Sequence, residues 1–145
     1  MKFTIASILA VCALANSNAD DVNKIFGDAE QWKTGLVDID RIDDIFYWVF
    51  QSRQETYATD PLVLWLTGGP GCASEVALFY ENGPYQFNDD GTLRSNPNSW
   101  NEISNLLFVD QPIGTGFSKG SPLYDVRSEL QVAEDMAIFL RGFVE

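Results

Sequence analysis

Leu62-Val63-Leu64-Trp65-Leu66-Thr67-Gly68-Gly69-Pro70-Gly71-Cys72-Ala73-Ser74 is the stretch whose reading decides the fold. It opens on a continuous apolar run, Leu62 to Leu66, that is stopped abruptly by glycine. A short run without a polar face reads as a strand buried on both sides, as in a mostly parallel sheet. Glycines placed directly after such a strand let the backbone approach a ligand closely and turn its N–H groups towards it. Those groups suit a phosphate or the oxyanion of an acyl-transfer intermediate. No Gly-Lys-Ser/Thr follows, and the Gly-x-Gly-x-x-Gly spacing fails, so neither a phosphate P-loop nor a dinucleotide site is indicated. The plain alternative is a tight strand-to-helix turn.

Outward from this loop, the chain alternates strand and helix signals. Upstream, Gly35 to Asp40 alternates and Ile45 to Phe50 is dense in β-branched and aromatic residues, which predicts a hairpin. Residues 20–34 read at best as an arm that orders on contact. Downstream, Glu75 to Tyr80 reads as a short helix ended by Asn82-Gly83-Pro84. Asn88-Asp89-Asp90-Gly91 reads as a hairpin turn rather than a calcium loop. Asn105 to Val109 is a second buried-strand run, followed by a loop with Gly114, Gly116 and Gly120. Val126 to Val144 predicts an amphipathic helix whose apolar positions are Val126, Leu130, Ala133, Ala137, Leu140 and Val144, capped by Asp125 or Ser128. Hairpin, strand, helix, strand, helix is an α/β order, and 145 residues suit one domain.

Composition narrows the function. Nine Lys+Arg stand against twenty-one Asp+Glu, a net charge of −12, which repels phosphate backbones and argues against nucleic-acid binding. The count of histidines is 0, so a Ser-His-Asp triad, a Cys-His pair or a His-containing metal site cannot form from this chain alone. Lys2, the uncharged apolar stretch Phe3 to Ala15 and the small residues before Asp20 follow the order of a secretory signal, with cleavage after Ala19 and Ala15 the second choice. That stretch, about 13 residues, is too short to span a bilayer, and no other stretch is long and apolar enough to do so, so no membrane contact is expected after cleavage. Loss of residues 1–19 would remove Cys12 and leave Cys72 without a partner in the chain.

Three residues invite catalytic readings of their own. Gly116-Phe117-Ser118-Lys119-Gly120 fits a Gly-x-Ser-x-Gly elbow in letters, but that elbow needs a strand directly before the serine and a helix directly after it. Pro112 and glycines precede Ser118, Gly120-Ser121-Pro122 follow it, and no imidazole is present in the chain to activate it. Cys72 lacks an imidazole partner for the same reason. Glu81, beside Phe79-Tyr80, is either a carboxyl whose proton is held by apolar surroundings or a solvated glutamate at a helix end.

The Trp65–Ser74 stretch closely resembles the oxyanion loop of serine carboxypeptidases, which are α/β-hydrolases. The resemblance continues, in order, at Phe46 to Arg53, Phe79 to Tyr85, Asn96 to Asn101 and Asp110 to Ser118. It implies an N-terminal part of an α/β-hydrolase fold, with a mixed, mostly parallel and incomplete sheet. The implied activity is removal of C-terminal residues from peptides and proteins through an acyl-enzyme, with no cofactor and no metal. By the same resemblance the Gly69 N–H is an oxyanion-hole donor. The Gly68 N–H and Glu81 bind the substrate carboxylate, with Trp65 and Thr67 in that cluster, and Tyr80 lines the pocket of the leaving residue. Thr67 stands where the family usually has asparagine. Cys72 corresponds to a cysteine that pairs with one in the downstream half of the family. The location implied is the secretory pathway, either extracellular or lysosomal/vacuolar. The family's nucleophile lies in a Gly-Glu-Ser-Tyr-Ala-Gly type elbow, which this sequence lacks together with its Asp and His. No histidine, one orphan cysteine, no elbow and a final helix without a stop signal lead to one expectation: residues 20–145 are an N-terminal fragment of the enzyme domain, inactive alone. Two rival expectations are a non-catalytic module that binds peptide C-termini and a fragment of a related acyltransferase.

Overall fold

Apolar side chains that alternate along the central strands place bulk on both faces of one sheet, and this fixes the layers. The computed structural model describes Phe26 and residues 30–40, 43–121 and 126–145. The signal-peptide reading of residues 1–19 and a capping role for Asp125 lie outside the described residues. The chain runs through β1 (Trp32–Asp40), β2 (Asp43–Phe50), β3 (Leu62–Leu66), α1 (Glu75–Tyr80), β4 (Tyr85–Phe87), β5 (Leu93–Ser95), a 3-10 turn (Trp100–Glu102), β6 (Asn105–Val109) and α2 (Glu129–Val144). Four strands form a mixed sheet in the order β1-β2-β6-β3. β2 lies antiparallel to both β1 and β6, and β3 is parallel to β6 with Leu64 opposite Leu107, so the sheet is mixed as expected but, among the described residues, antiparallel in two of its three strand pairs because it begins with the β1–β2 hairpin. β4 and β5 form a separate ribbon around the Asn88–Gly91 turn, where the Asn88 N–H donates to the Thr92 carbonyl at 2.8 Å.

On one face Trp48, Phe50, Leu106 and Phe108 pack with Ala77, Leu78 and Phe79 of α1 and with Tyr85. On the other face Ile45, Tyr47, Leu107 and Val109 pack with Met136 and Phe139 of α2. Two covered faces explain why β6 reads as an unbroken apolar run.

Three sequence expectations change in the folded chain. β3 is not buried on both sides along its length: Leu62 and Leu66 are 47% and 44% exposed. Among the described residues it is the last strand of the sheet, flanked by β6 on one side, so its ends lack the neighbours that β6 has in β2 and β3. The segment read over residues 20–34 as an arm ordered on contact is held by such contacts at Phe26 and Glu30, but its last residues, Trp32 to Thr34, belong to β1. Trp32 opens β1, and Phe26 lies edge-on to Trp48 with ring centres 5.4 Å apart. The buried Glu30 accepts from Arg53 and from the Asn101 side chain. Aromatic burial and that ionic hydrogen-bond cluster order a segment that has no periodic pattern. Finally, α2 lies on the sheet with Met136, Phe139 and Phe143, whereas Leu130, Leu140 and Val144 face outwards, Leu130 being 69% exposed. The helix carries two apolar stripes, and the one with larger side chains covers the sheet. Its N-cap is Ser128, whose hydroxyl accepts from the Gln131 N–H.

Candidate oxyanion and carboxylate site

Parallel strands β3 and β6 end side by side, and each is followed by a glycine-containing loop. The loop after β3 is closed at its base by Ser74. The Ser74 hydroxyl donates to the Val109 carbonyl at 2.6 Å and accepts from the Thr67 N–H at 3.4 Å, while its N–H donates to Asp110 Oδ1 at 2.7 Å. Gln111 Nε2 adds a bond to the Thr67 carbonyl at 3.3 Å. Both ends of the loop are therefore tied to the end of β6. Between them Gly68, Gly69, Pro70, Gly71 and Cys72 are exposed. Among the described residues no group accepts from the Gly68 or Gly69 N–H. Two exposed backbone donors on a loop with anchored ends can bind an anionic oxygen.

Trp65 and Thr67 flank the loop on the strand side. Both are half-buried, and neither Trp65 Nε1 nor Thr67 Oγ1 has a hydrogen-bond partner among the described residues. Cys72 is an exposed free thiol. Tyr80 and Glu81 lie at the far end of α1, about 9 Å along a helix of six residues. Ala77, Leu78 and Phe79 take the buried side of that helix, which leaves Tyr80 and Glu81 exposed.

Residues 96–101 link the two ends of the site. Asn96 Nδ2 donates to the Gly83 carbonyl at 2.8 Å, and both the Ser99 hydroxyl and the Trp100 N–H donate to the Asn82 carbonyl at 3.0 Å. Trp100 in turn meets Trp65 edge-on, with ring centres 5.2 Å apart. The segment after Glu81 is thus held to the same scaffold as Trp65. Gly83 is required for this turn, because a Cβ there would run into the backbone of Leu78.

Asp110 and Ser118 form the frame behind the loop. Asp110 is 1% exposed and accepts from the Ser74 and Phe117 N–H groups at 2.7 and 2.9 Å. Gly116 leaves room for its carboxylate, since a side chain there would overlap it. The Ser118 hydroxyl is occupied: it donates to the Asp110 carbonyl at 2.6 Å and accepts from the Phe46 N–H at 2.8 Å. A buried hydroxyl with both bonds taken is a structural group. Glu75 carries no motif that marks it in the sequence. It lies half-buried beside Asp110, and burial followed by the Asp110 charge pushes its carboxyl up to about 8. A carboxylate directly after a buried strand run, as at Val109-Asp110, is the signal that points to this frame.

Residues 26–145 match the serine carboxypeptidase family, Peptidase S10. This chain belongs to the serine carboxypeptidase family. Serine carboxypeptidase S10 family member 1 of Dictyostelium discoideum is 50% identical over 99% of this chain and 33% of its own length. Serine carboxypeptidase-like 47 of Arabidopsis thaliana is 50% identical over 68% of this chain and 19% of its own. Among solved structures, the prohormone-processing carboxypeptidase Kex1ΔP of Saccharomyces cerevisiae superposes with a TM-score of 0.69 at 31% identity. That match covers 79% of this chain and 28% of the yeast chain. The chain therefore spans a third or less of the length of these relatives. The mixed sheet with its two helices is the N-terminal portion of an α/β-hydrolase fold, as expected from the Trp65–Ser74 stretch.

Proposed function

We propose that this chain supplies the oxyanion and carboxylate subsites of a serine-type carboxypeptidase that releases C-terminal residues from peptides and proteins. The observation that carries the reading is the anchored glycine loop, with the Gly68 and Gly69 N–H groups exposed between bonded ends and without an acceptor among the described residues. In this reading the Gly69 N–H receives the oxyanion of the tetrahedral intermediate. The Gly68 N–H and Glu81 hold the substrate carboxylate, Trp65 and Thr67 close that cluster, and Tyr80 contacts the leaving residue. Cys72, exposed and free, is offered to a cysteine elsewhere in the protein. The nucleophile, its base and the acid that orients the base are not assigned to residues 20–145, because the chain has no histidine. Residues 20–145 therefore bind but do not hydrolyse. The proposed location is the secretory pathway, extracellular or lysosomal/vacuolar, reached through a signal at residues 1–19.

A blocked dipeptide incubated with the purified chain is the test. Binding without turnover is the expected result. Turnover abolished by a serine-directed inhibitor would show that the chain holds a nucleophile of its own. The absence of histidine also favours a second reading, a module that holds peptide C-termini without cleaving them. The two separate in a longer protein that contains this segment: hydrolysis there supports the first, binding alone the second. An acyltransferase would instead pass the acyl group to an alcohol or amine in the same assay.

A further inference from the structure

Two carboxyl groups meet at the Ser74 end of the glycine loop. Asp110 directly follows β6, and Glu75 opens α1 directly after Ser74. Each Asp110 oxygen is already committed: Oδ1 to the Ser74 N–H at 2.7 Å and Oδ2 to the Phe117 N–H at 2.9 Å. Glu75 Oε2 is excluded from solvent and has no hydrogen-bond partner among the donors of the described residues. Two carboxylates packed this way repel, so one of the pair must hold a proton to be stable there. Asp110, with two N–H donors, is the better anion, which makes Glu75 the acid.

We propose that Glu75 and Asp110 are a positioning pair for the glycine loop, in which the protonated Glu75 carboxyl donates to the Asp110 carboxylate and fixes the Ser74 end of the loop, and loss of that proton to solvent releases it. The pair deepens the proposed function and rests on it for its purpose, since the loop it fixes is the one that presents the Gly68 and Gly69 N–H groups. Burial and the Asp110 charge hold the Glu75 proton up to about 8, against the opposing pull of Glu75's own backbone N–H. On Asp110, burial is the largest influence and works against the anion, while the Phe117 and Ser74 amides and Glu75 favour it. The groups that face the pair are thus the Ser74 amide from the glycine loop, the Glu75 amide at the start of α1, the Phe117 amide from the loop after β6, and the two carboxyls themselves. No lysine or arginine enters either balance. Glu75 and Asp110 act through the loop and touch no reacting atom.

Side-chain carboxyl NMR of the unmodified chain across pH 4 to 10 reads the pair directly. The expected result is a Glu75 midpoint near 8 with Asp110 responding at the same pH; a Glu75 midpoint in the ordinary carboxylate range would overturn the proposal. Hydrogen exchange then reads the loop. The Ser74 amide should lose about tenfold or more of its protection as pH passes the Glu75 midpoint. In Glu75→Gln, whose amide still donates to Asp110, protection should stay flat with pH, and in Glu75→Ala it should be low throughout. The same pH dependence in Glu75→Gln as in the unmodified chain would overturn the proposal. Should the variants fail to fold, the unmodified chain's midpoint decides. Neither readout involves a peptide. Failure to bind any C-terminal peptide, with the Glu75 midpoint near 8, would therefore remove the functional reading and leave the pair standing.

Discussion

The loops after β3 and β6 start from parallel neighbouring strands and are both rich in glycine, yet they do opposite things. Residues 110–118 turn inwards. Asp110 and Ser118 are buried, and their side chains take up backbone groups of Ser74, Phe117 and Phe46. Residues 68–72 turn outwards, exposed, with the Gly68 and Gly69 donors unused among the described residues. The lesson is that glycine content does not mark a site. What separates the two loops is who satisfies their backbone: a frame closes its own hydrogen bonds, and a binding loop leaves some open for a ligand.

Substitutions in the two loops should therefore differ sharply. The largest effect is expected in the frame. Asp110→Ala strands the Ser74 and Phe117 amides and should cost about 4 kcal/mol, read by denaturant unfolding near pH 6. Next comes the pH dependence of stability. Glu75 keeps its proton in the folded chain up to about 8 and in the unfolded chain only to its ordinary 4.5. Between those values the folded state holds a proton that the unfolded state lacks, so stability falls as pH rises, by roughly 1 kcal/mol per pH unit. Unfolding of Glu75→Gln across the same window should show that slope removed. Ser118→Ala deletes a donor and an acceptor that join the frame to β2, and about 2 kcal/mol of stability should go with it, with peptide binding kept. Smallest is Gly69→Ala, where a Cβ would sit 3.7 Å from Cys72 Sγ and meet nothing closer. Its melting should move by less than about 0.5 kcal/mol while peptide affinity falls. A large destabilisation by Gly69→Ala, or none by Asp110→Ala, would erase the contrast between the loops.

The strands were legible because their signals are local: Ile45–Phe50, Leu62–Leu66 and Asn105–Val109 are strands of the structure. The helix Glu75–Tyr80 is bounded as its sequence indicates. What escaped was decided by distant partners. Glu30 has no local pattern and is ordered by Arg53 and Asn101, far along the chain. α2 offers two apolar stripes, and periodicity alone does not say that Met136 and Phe139, rather than Leu130 and Leu140, meet the sheet. In the site, the Trp65–Ser74 stretch was readable as a loop that presents backbone. Glu75 was not, because its environment is made by Asp110, which follows β6 far along the chain.

The most direct test follows the Gly68 and Gly69 amides by NMR while a short peptide is added, once with a free C-terminal carboxylate and once with an amidated end. The two amide signals should shift with the free acid and stay in place with the amide. Equal shifts with both peptides, or shifts confined to residues 110–118, would contradict the claim that the loop after β3 is the one built to receive an anion.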